Sequence, residues 1–154
     1  MLLLEQQKTA RIIQVVFFLA LDRFLKMLAL NLPPAAVYGI FGDWLVFRPL
    51  KNYFISLFLS LGKSLGLGLA ALIILALLFY CQRYWGQMSG REQLAWLLVL
   101  AGAFSNLYDR LAYGFVVDYF GFKYLFTNNL ADILIFSGLA LLVFVSLGRP
   151  RTPF

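Results

Sequence analysis

The sequence predicts an all-α membrane protein: four transmembrane helices, with a small β-rich cradle on the outer face between helices 1 and 2. Three observations carry that expectation. Hydrophobic residues make up 62% of the 154 and charged residues only 13%, more apolar surface than one water-soluble core can hide. The apolar residues gather in long runs separated by Gly, Pro and Arg. The remaining polar chemistry is concentrated, since Ser105 to Asp132 holds Asp109, Asp118 and Asp132 out of seven acidic residues.

The whole chain, 1–154, reads as a single membrane domain with spans at about 12–32, 64–82, 93–111 and 132–148 and a cradle at about 35–61. The leader MLLLEQQKTARII mixes acid with base and lacks a small-residue cleavage site, so it is expected to stay as an anchor. Thr9 is a candidate N-cap for the first helix, and Pro33-Pro34 a firm stop. A helix of roughly 20 residues spans about 30 Å, enough for a hydrocarbon core. Asp22 and Lys26, four apart, share a face of that helix and can neutralise each other. Two readings stay open for them: a structural ion pair with Lys26 snorkelling outward, or support for a site.

In the next segment Gly39, Gly42 and Pro49 interrupt aromatic and β-branched residues, which favours short strands at the membrane surface over a helix. Ser64 to Gln82 then runs nineteen residues without a charge, the clearest span. Arg83, Gly86, Gly90 and Arg91 form a polar turn into the third helix. Lys8, Arg11, Arg83, Arg91, Arg149 and Arg151 fall on one side of this layout, and Arg48, Lys51, Lys63, Arg110 and Lys123 on the other. The positive-inside rule makes the first side cytoplasmic, with both termini there.

Composition also excludes. The net charge of +6 is spread along an apolar chain and suits anionic lipid, so nucleic acid is not an expected partner. With no histidine, and Cys81 the lone cysteine, Ser-His and Cys-His pairs, His-ligated zinc and an internal disulfide are all ruled out for this chain. Acid–base work falls to carboxylates; neither a metal nor a cofactor is expected. A reversal of the chain between Asp118 and Asp132 would bring two carboxylates together, where they share a proton, one acting as acid and the other as base. Such a pair activates water against a peptide carbonyl without histidine, cysteine or metal. The bland alternative is that Asp132 caps the last helix and Asp118 pairs with Arg110.

Gly102, Asn106, Arg110, Val116-Val117-Asp118 and Asn129-Leu130-Ala131-Asp132, with Asp22 and Lys26 in the first helix, together resemble the bacterial lipoprotein signal peptidases, signal peptidase II. The resemblance implies that Asp118 and Asp132 are the catalytic aspartates and Asp109 a supporting residue. It implies that Asn106, Arg110 and Asn129 hold the aspartates and the substrate backbone, and that Asp22 and Lys26 brace the site. Asn52, the counterpart of an asparagine in the family's Asn-x-Gly motif, joins the substrate-binding set, although Phe54 stands at the glycine position. Asn128 stands where the family has phenylalanine. The implied enzyme is an aspartic endopeptidase of the bacterial inner membrane, its active site toward the outer face. It cleaves a diacylglyceryl-modified prolipoprotein just before the lipidated cysteine; membrane lipid and globomycin-type inhibitors are the other implied partners. A non-catalytic lipoprotein-binding or assembly protein of the same fold is the alternative. A small transporter with Asp22 and Lys26 on a polar path finds no internal repeat to support it.

Overall fold

The structure, a computed structural model, describes residues 2–53, 62–123 and 125–148. Four helices and four strands occur among them: α1 (Leu2–Leu30), β1 (Tyr38–Phe41), β2 (Leu45–Asn52), α2 (Gly62–Tyr84), α3 (Gly90–Tyr113), β3 (Val116–Phe122), β4 (Phe126–Asn128) and α4 (Leu130–Leu147). The expected cradle residues 54–61, Phe54 among them, and the basic flank at Arg149 and Arg151 lie outside the described residues.

Helix α1 begins well before Thr9, which is therefore not a cap; its hydroxyl donates instead to the Glu5 carbonyl at 3.0 Å. At the other end Asn31 donates its side-chain amide to the Met27 carbonyl at 2.9 Å, and the two prolines forbid a further turn. The polar turn after α2 is a short 3-10 helix, Trp85–Gln87. Ser89 and Glu92 then form a reciprocal capping box that starts α3, and Gly114, at φ 79°, supplies the left-handed residue that ends it.

The strands form one antiparallel sheet in the order β1-β2-β3-β4. This corrects the expected cradle. The sheet takes only half its strands from between the first two helices; β3 and β4 come from the acidic stretch between α3 and α4. Strand β3 is buried on both faces, which explains why its sequence, VVDYFGF, lacks the alternation of a half-exposed strand. Val117 and Tyr119 pack with Ala29 of α1 into a small core, ringed by Leu25, Phe47, Phe115, Phe120 and Leu130.

The helices are apolar outside and polar within. Phe17, Phe24, Leu72, Phe79, Phe136 and Phe144 are each more than half exposed, whereas Asp22, Lys26, Asp109, Asp118 and Asn129 are at most 1% exposed. That inversion suits lipid on the outside, because apolar patches of such extent are foreign to a water-facing surface. Among the described residues two helical stretches, Gly66–Gln87 (most of α2 with the 3-10 turn after it) and Leu130–Leu147 (α4), are apolar and long enough to cross a membrane. Charged residues lower the apolarity of α1 and α3, and of these Asp22, Lys26 and Asp109 are buried.

Helices α3 and α4 approach closely because glycine stands at two contacts. A Cβ on Gly102 would run into the Ala131 carbonyl, and one on Gly138 would come within 2.6 Å of the Ala95 carbonyl. Small residues at such crossings let helix backbones meet where water supplies no drive to pair them. The first of these contacts sets the start of α4 directly against α3, one turn from Asn106.

Candidate active site

The first turn of α4 is where the site is built. A helix leaves its first backbone N–H groups without partners, and burial makes each of them expensive unless something accepts it. Here three side chains from three elements do so. The Tyr119 hydroxyl of β3 accepts the Leu130 N–H at 2.9 Å, the Asp22 carboxylate of α1 accepts the Ala131 N–H at 3.1 Å, and the Asn129 amide oxygen accepts the Asp132 N–H at 2.9 Å. Tyr119 in turn donates to Asp22 at 2.9 Å. Burial, reinforced by the Asp22 carboxylate, pushes the Tyr119 phenol well above its ordinary range, so it stays a donor.

Asn129 is the N-cap of α4, and it links both aspartates. Its side-chain amide donates to Asp118 Oδ1 at 2.8 Å and to the Val117 carbonyl at 3.3 Å, while its backbone N–H donates to Asp132 Oδ2 at 3.4 Å. The other two carboxylate oxygens are held by two more asparagines. Asn52 donates to Asp118 Oδ2 and Asn106 donates to Asp132 Oδ1, both at 2.8 Å. Three asparagines thus converge on two carboxylates without neutralising either.

Asn52 reaches Asp118 because of an irregularity in β2. The register is interrupted between Phe47 and Leu50, at Arg48-Pro49, where proline cannot donate to the ladder. Beyond it Leu50 lies opposite Asp118 and Asn52 opposite Val116. Residues two apart share a face, so Asn52 and Asp118 become diagonal neighbours. A one-residue slip would turn Asn52 to the other face.

Burial pushes the Asp118 carboxyl up from 3.8 to about 6; Asp132 repels its charged form further, while the bonds from Asn52 and Asn129 oppose the rise. Asp118 therefore holds a proton far more readily than a solvent-exposed aspartate.

Behind the two carboxylates lies a second charged cluster. Lys26, almost wholly buried, touches Asp22 at 3.1 Å and Asp109 at 2.8 Å, and donates to Asn106 Oδ1 at 3.0 Å. The snorkelling reading of Lys26 is thus overturned: the ammonium is buried and has four acceptors, the fourth being the Ser105 hydroxyl at 3.3 Å. Arg23 pairs with Asp109 at 2.7 Å and Asp22 at 3.3 Å, and donates to the Ser105 hydroxyl at 2.7 Å. Ser105 donates to Asp22 through a short hydrogen bond. Asp109 also accepts the Val117 N–H at 3.2 Å, tying α3 to β3.

Of the residues singled out from sequence, Asn52, Asn106, Asn129, Asp22 and Lys26 converge with Asp118 and Asp132 as described. Asp109 serves Arg23 and Lys26 rather than its neighbour Arg110. Arg110 donates to the Asn106 carbonyl at 3.2 Å, and its charge faces Asp132, Asp109 and Asp118 without an ion pair among the described residues. Both bland alternatives are corrected: Asp118 is held by asparagines, not by Arg110, and Asn129 is the cap that Asp132 merely completes. Sequence reasoning missed Arg23, Ser105 and Tyr119. A cation beside Asp22 in mid-helix was the one available signal; nothing local marks a serine or a tyrosine as its partner.

The description "Signal peptidase (SPase) II" belongs to the family model that matches residues 14–148. The chain belongs to the signal peptidase II family. Relatives named lipoprotein signal peptidase include one from Methylocella silvestris, 43% identical over 93 residues, covering 56% of this chain and 50% of that protein. Another, from Caldicellulosiruptor bescii, is 36% identical over 74 residues, covering 48% of this chain and 49% of the relative. The matched regions span about half the length of these curated relatives. A solved structure described as a bacterial membrane enzyme superposes with a TM-score of 0.79 at 20% identity, covering 95% of this chain and 94% of the other. That likeness establishes the fold; membership of the signal peptidase II family and the two apolar helices long enough to cross a membrane support a membrane location.

Proposed function

We propose that the chain is an intramembrane aspartic endopeptidase. It removes the signal peptide from diacylglyceryl-modified prolipoproteins by cutting just before the lipidated cysteine. The observation that carries this reading is Asn129, which links Asp118 and Asp132 from a single rigid helix cap. Family membership supplies the substrate class.

The chemistry needs one shared proton. The ionised carboxylate takes a proton from a water whose oxygen attacks the scissile carbonyl carbon, and the protonated partner gives its proton to the carbonyl oxygen. Collapse of the resulting diol breaks the C–N bond as a proton passes to the departing nitrogen. The raised affinity of Asp118 for its proton supports the acid role. Asn52 and Asn106 each fix one oxygen of the pair, and Asn129 holds the other oxygen of each.

All four helices span the inner membrane in this reading, with both termini cytoplasmic and the sheet and aspartates toward the outer face. The lipid acts through burial: each methylene contributes about 0.8 kcal/mol, so two acyl chains localise the scissile bond before protein contacts form. Globomycin-type peptides would compete for the same cleft. A reporter fused after Arg151 is expected inside and one near Lys123 outside.

The deciding experiment incubates purified protein with a diacylglyceryl precursor and follows the products by mass spectrometry. Asp118→Asn and Asp132→Asn should each abolish cleavage in a folded protein, and the double variant should be no worse, since the pair acts as one unit. Substantial cleavage by either variant overturns the mechanism. Wild-type binding without cleavage would favour a lipoprotein-binding protein instead.

A further inference from the structure

Arg23 has no role in the mechanism above, yet from a partly exposed position it pairs with both buried acids of the charge cluster. Its two terminal nitrogens divide between Asp109 Oδ1 at 2.7 Å and Asp22 Oδ2 at 3.3 Å, and the second also reaches the Ser105 hydroxyl at 2.7 Å. The guanidinium lies 5.1 Å from the Tyr108 ring centroid, a cation–π contact that fixes its plane. Asp22 and Asp109 are wholly buried, and Lys26 alone balances only one of them. With Arg23 present the two acids and two bases cancel.

We propose that Arg23 is a positioning residue for the aspartate pair: by neutralising Asp109 and Asp22 it leaves Lys26 to orient Asn106, whose amide holds Asp132. The chain of contacts is Arg23 to Asp109, Asp109 to Lys26 at 2.8 Å, Lys26 to Asn106 at 3.0 Å, and Asn106 to Asp132 at 2.8 Å. Lys26 bonds to the amide oxygen of Asn106, which forces the amide nitrogen toward Asp132 and forbids the flipped orientation. Without Arg23, Lys26 faces two ionised carboxylates by itself, and the cluster beside the dyad carries an unbalanced negative charge. The inference rests on Asp118 and Asp132 being the working pair.

Every charged or titratable group facing the cluster enters the argument. Asp22 and Lys26 come from α1, Tyr108, Asp109 and Arg110 from α3, Asp118 and Tyr119 from β3, and Asp132 from α4. Each variant below changes the formal charge only at the substituted position.

The test is the pH profile of kcat/KM for lipoprotein cleavage, which reports the ionisations of the free enzyme. Arg23→Gln should move the whole bell to higher pH, on the order of one unit, because a lost positive charge makes both carboxylates hold protons longer. Asp109→Asn should move it to lower pH. Arg23→Lys should keep the bell in place, and Arg23→Gln combined with Asp109→Asn should bring it back near the wild-type position. An Arg23→Gln bell that stays put while turnover alone falls would mean a merely structural role and overturn the proposal, as would an Arg23→Lys bell displaced like that of Arg23→Gln. If Arg23→Gln does not fold, Asp109→Asn decides, and an unmoved bell there is equally fatal. A wild-type protein that cleaves nothing sinks the peptidase reading first, an outcome distinct from active variants with stationary profiles.

Discussion

Asp22 in the first helix accepts the backbone N–H of Ala131 in the last at 3.1 Å, across 109 positions of sequence. A carboxylate at a helix N-terminus also meets the positive end of the helix dipole, so the contact is favourable twice over. Through it α1 sets the position of α4, and with it Asp132, three residues into the same cap. Asp22 is thus a hinge pin for the site.

Asp22→Ala should accordingly destabilise the protein by about 3–5 kcal/mol, because Lys26, Arg23 and the Ala131 N–H all lose a buried partner. Thermal unfolding in detergent micelles measures the loss. Asp22→Asn keeps an acceptor for Ala131 and should retain more stability than Asp22→Ala; equal losses would mean that the helix-cap contact contributes little.

Asp118 gives stability a pH dependence whose sign can be worked out. Its carboxyl ionises at about 6 in the folded chain against an ordinary value of 3.8, so between those values the folded state holds more protons than the unfolded one. Stability from this group is present at low pH and is lost as pH rises through that window. Asp118→Asn should flatten this part of the unfolding-versus-pH curve. A slope of equal size in wild type and variant would show that other groups produce it.

Asn52→Ala removes the amide that meets Asp118 Oδ2 at 2.8 Å. Hydrogen bonds to charged groups contribute about 1.5–3 kcal/mol, so cleavage should fall roughly 10- to 100-fold. The drop belongs in kcat more than in KM if Asn52 acts by aligning Asp118, and steady-state kinetics on a lipidated peptide separates the two.

Gly102→Ala should cost about 1–3 kcal/mol, since its methyl group meets the Ala131 carbonyl and the two helices must part. Parting them also draws Asn106 from Asp132. Activity should fall further than the unfolding temperature suggests. A fully active Gly102→Ala protein would show that the crossing has slack.

Much of this protein is written locally. The four apolar runs mark the four α-helices found among the described residues, and the i,i+4 spacing of Asp22 and Lys26 is enough to predict their ion pair, which the structure contains at 3.1 Å. The candidate pair, Asp118 and Asp132, stands out as carboxylates beside so much hydrocarbon, and the three asparagines around it are picked out by the resemblance to the signal peptidase II family. Periodicity reports the face a residue takes on its own element and nothing about what lies across from it.

What only the tertiary structure decided depends on that opposite side. Strands β3 and β4 are too uniformly apolar or too short to announce themselves, and they exist as strands because β2, more than sixty positions away in sequence, pairs with β3. Asn52 points at Asp118 only because the interruption at Arg48-Pro49 resets the register. Arg23, Ser105 and Tyr119 look like a stray cation, a helix serine and a strand aromatic until α1, α3 and β3 pack together. Burial then removes water as their partner, and each polar atom must find its complement in whatever element folding has brought beside it.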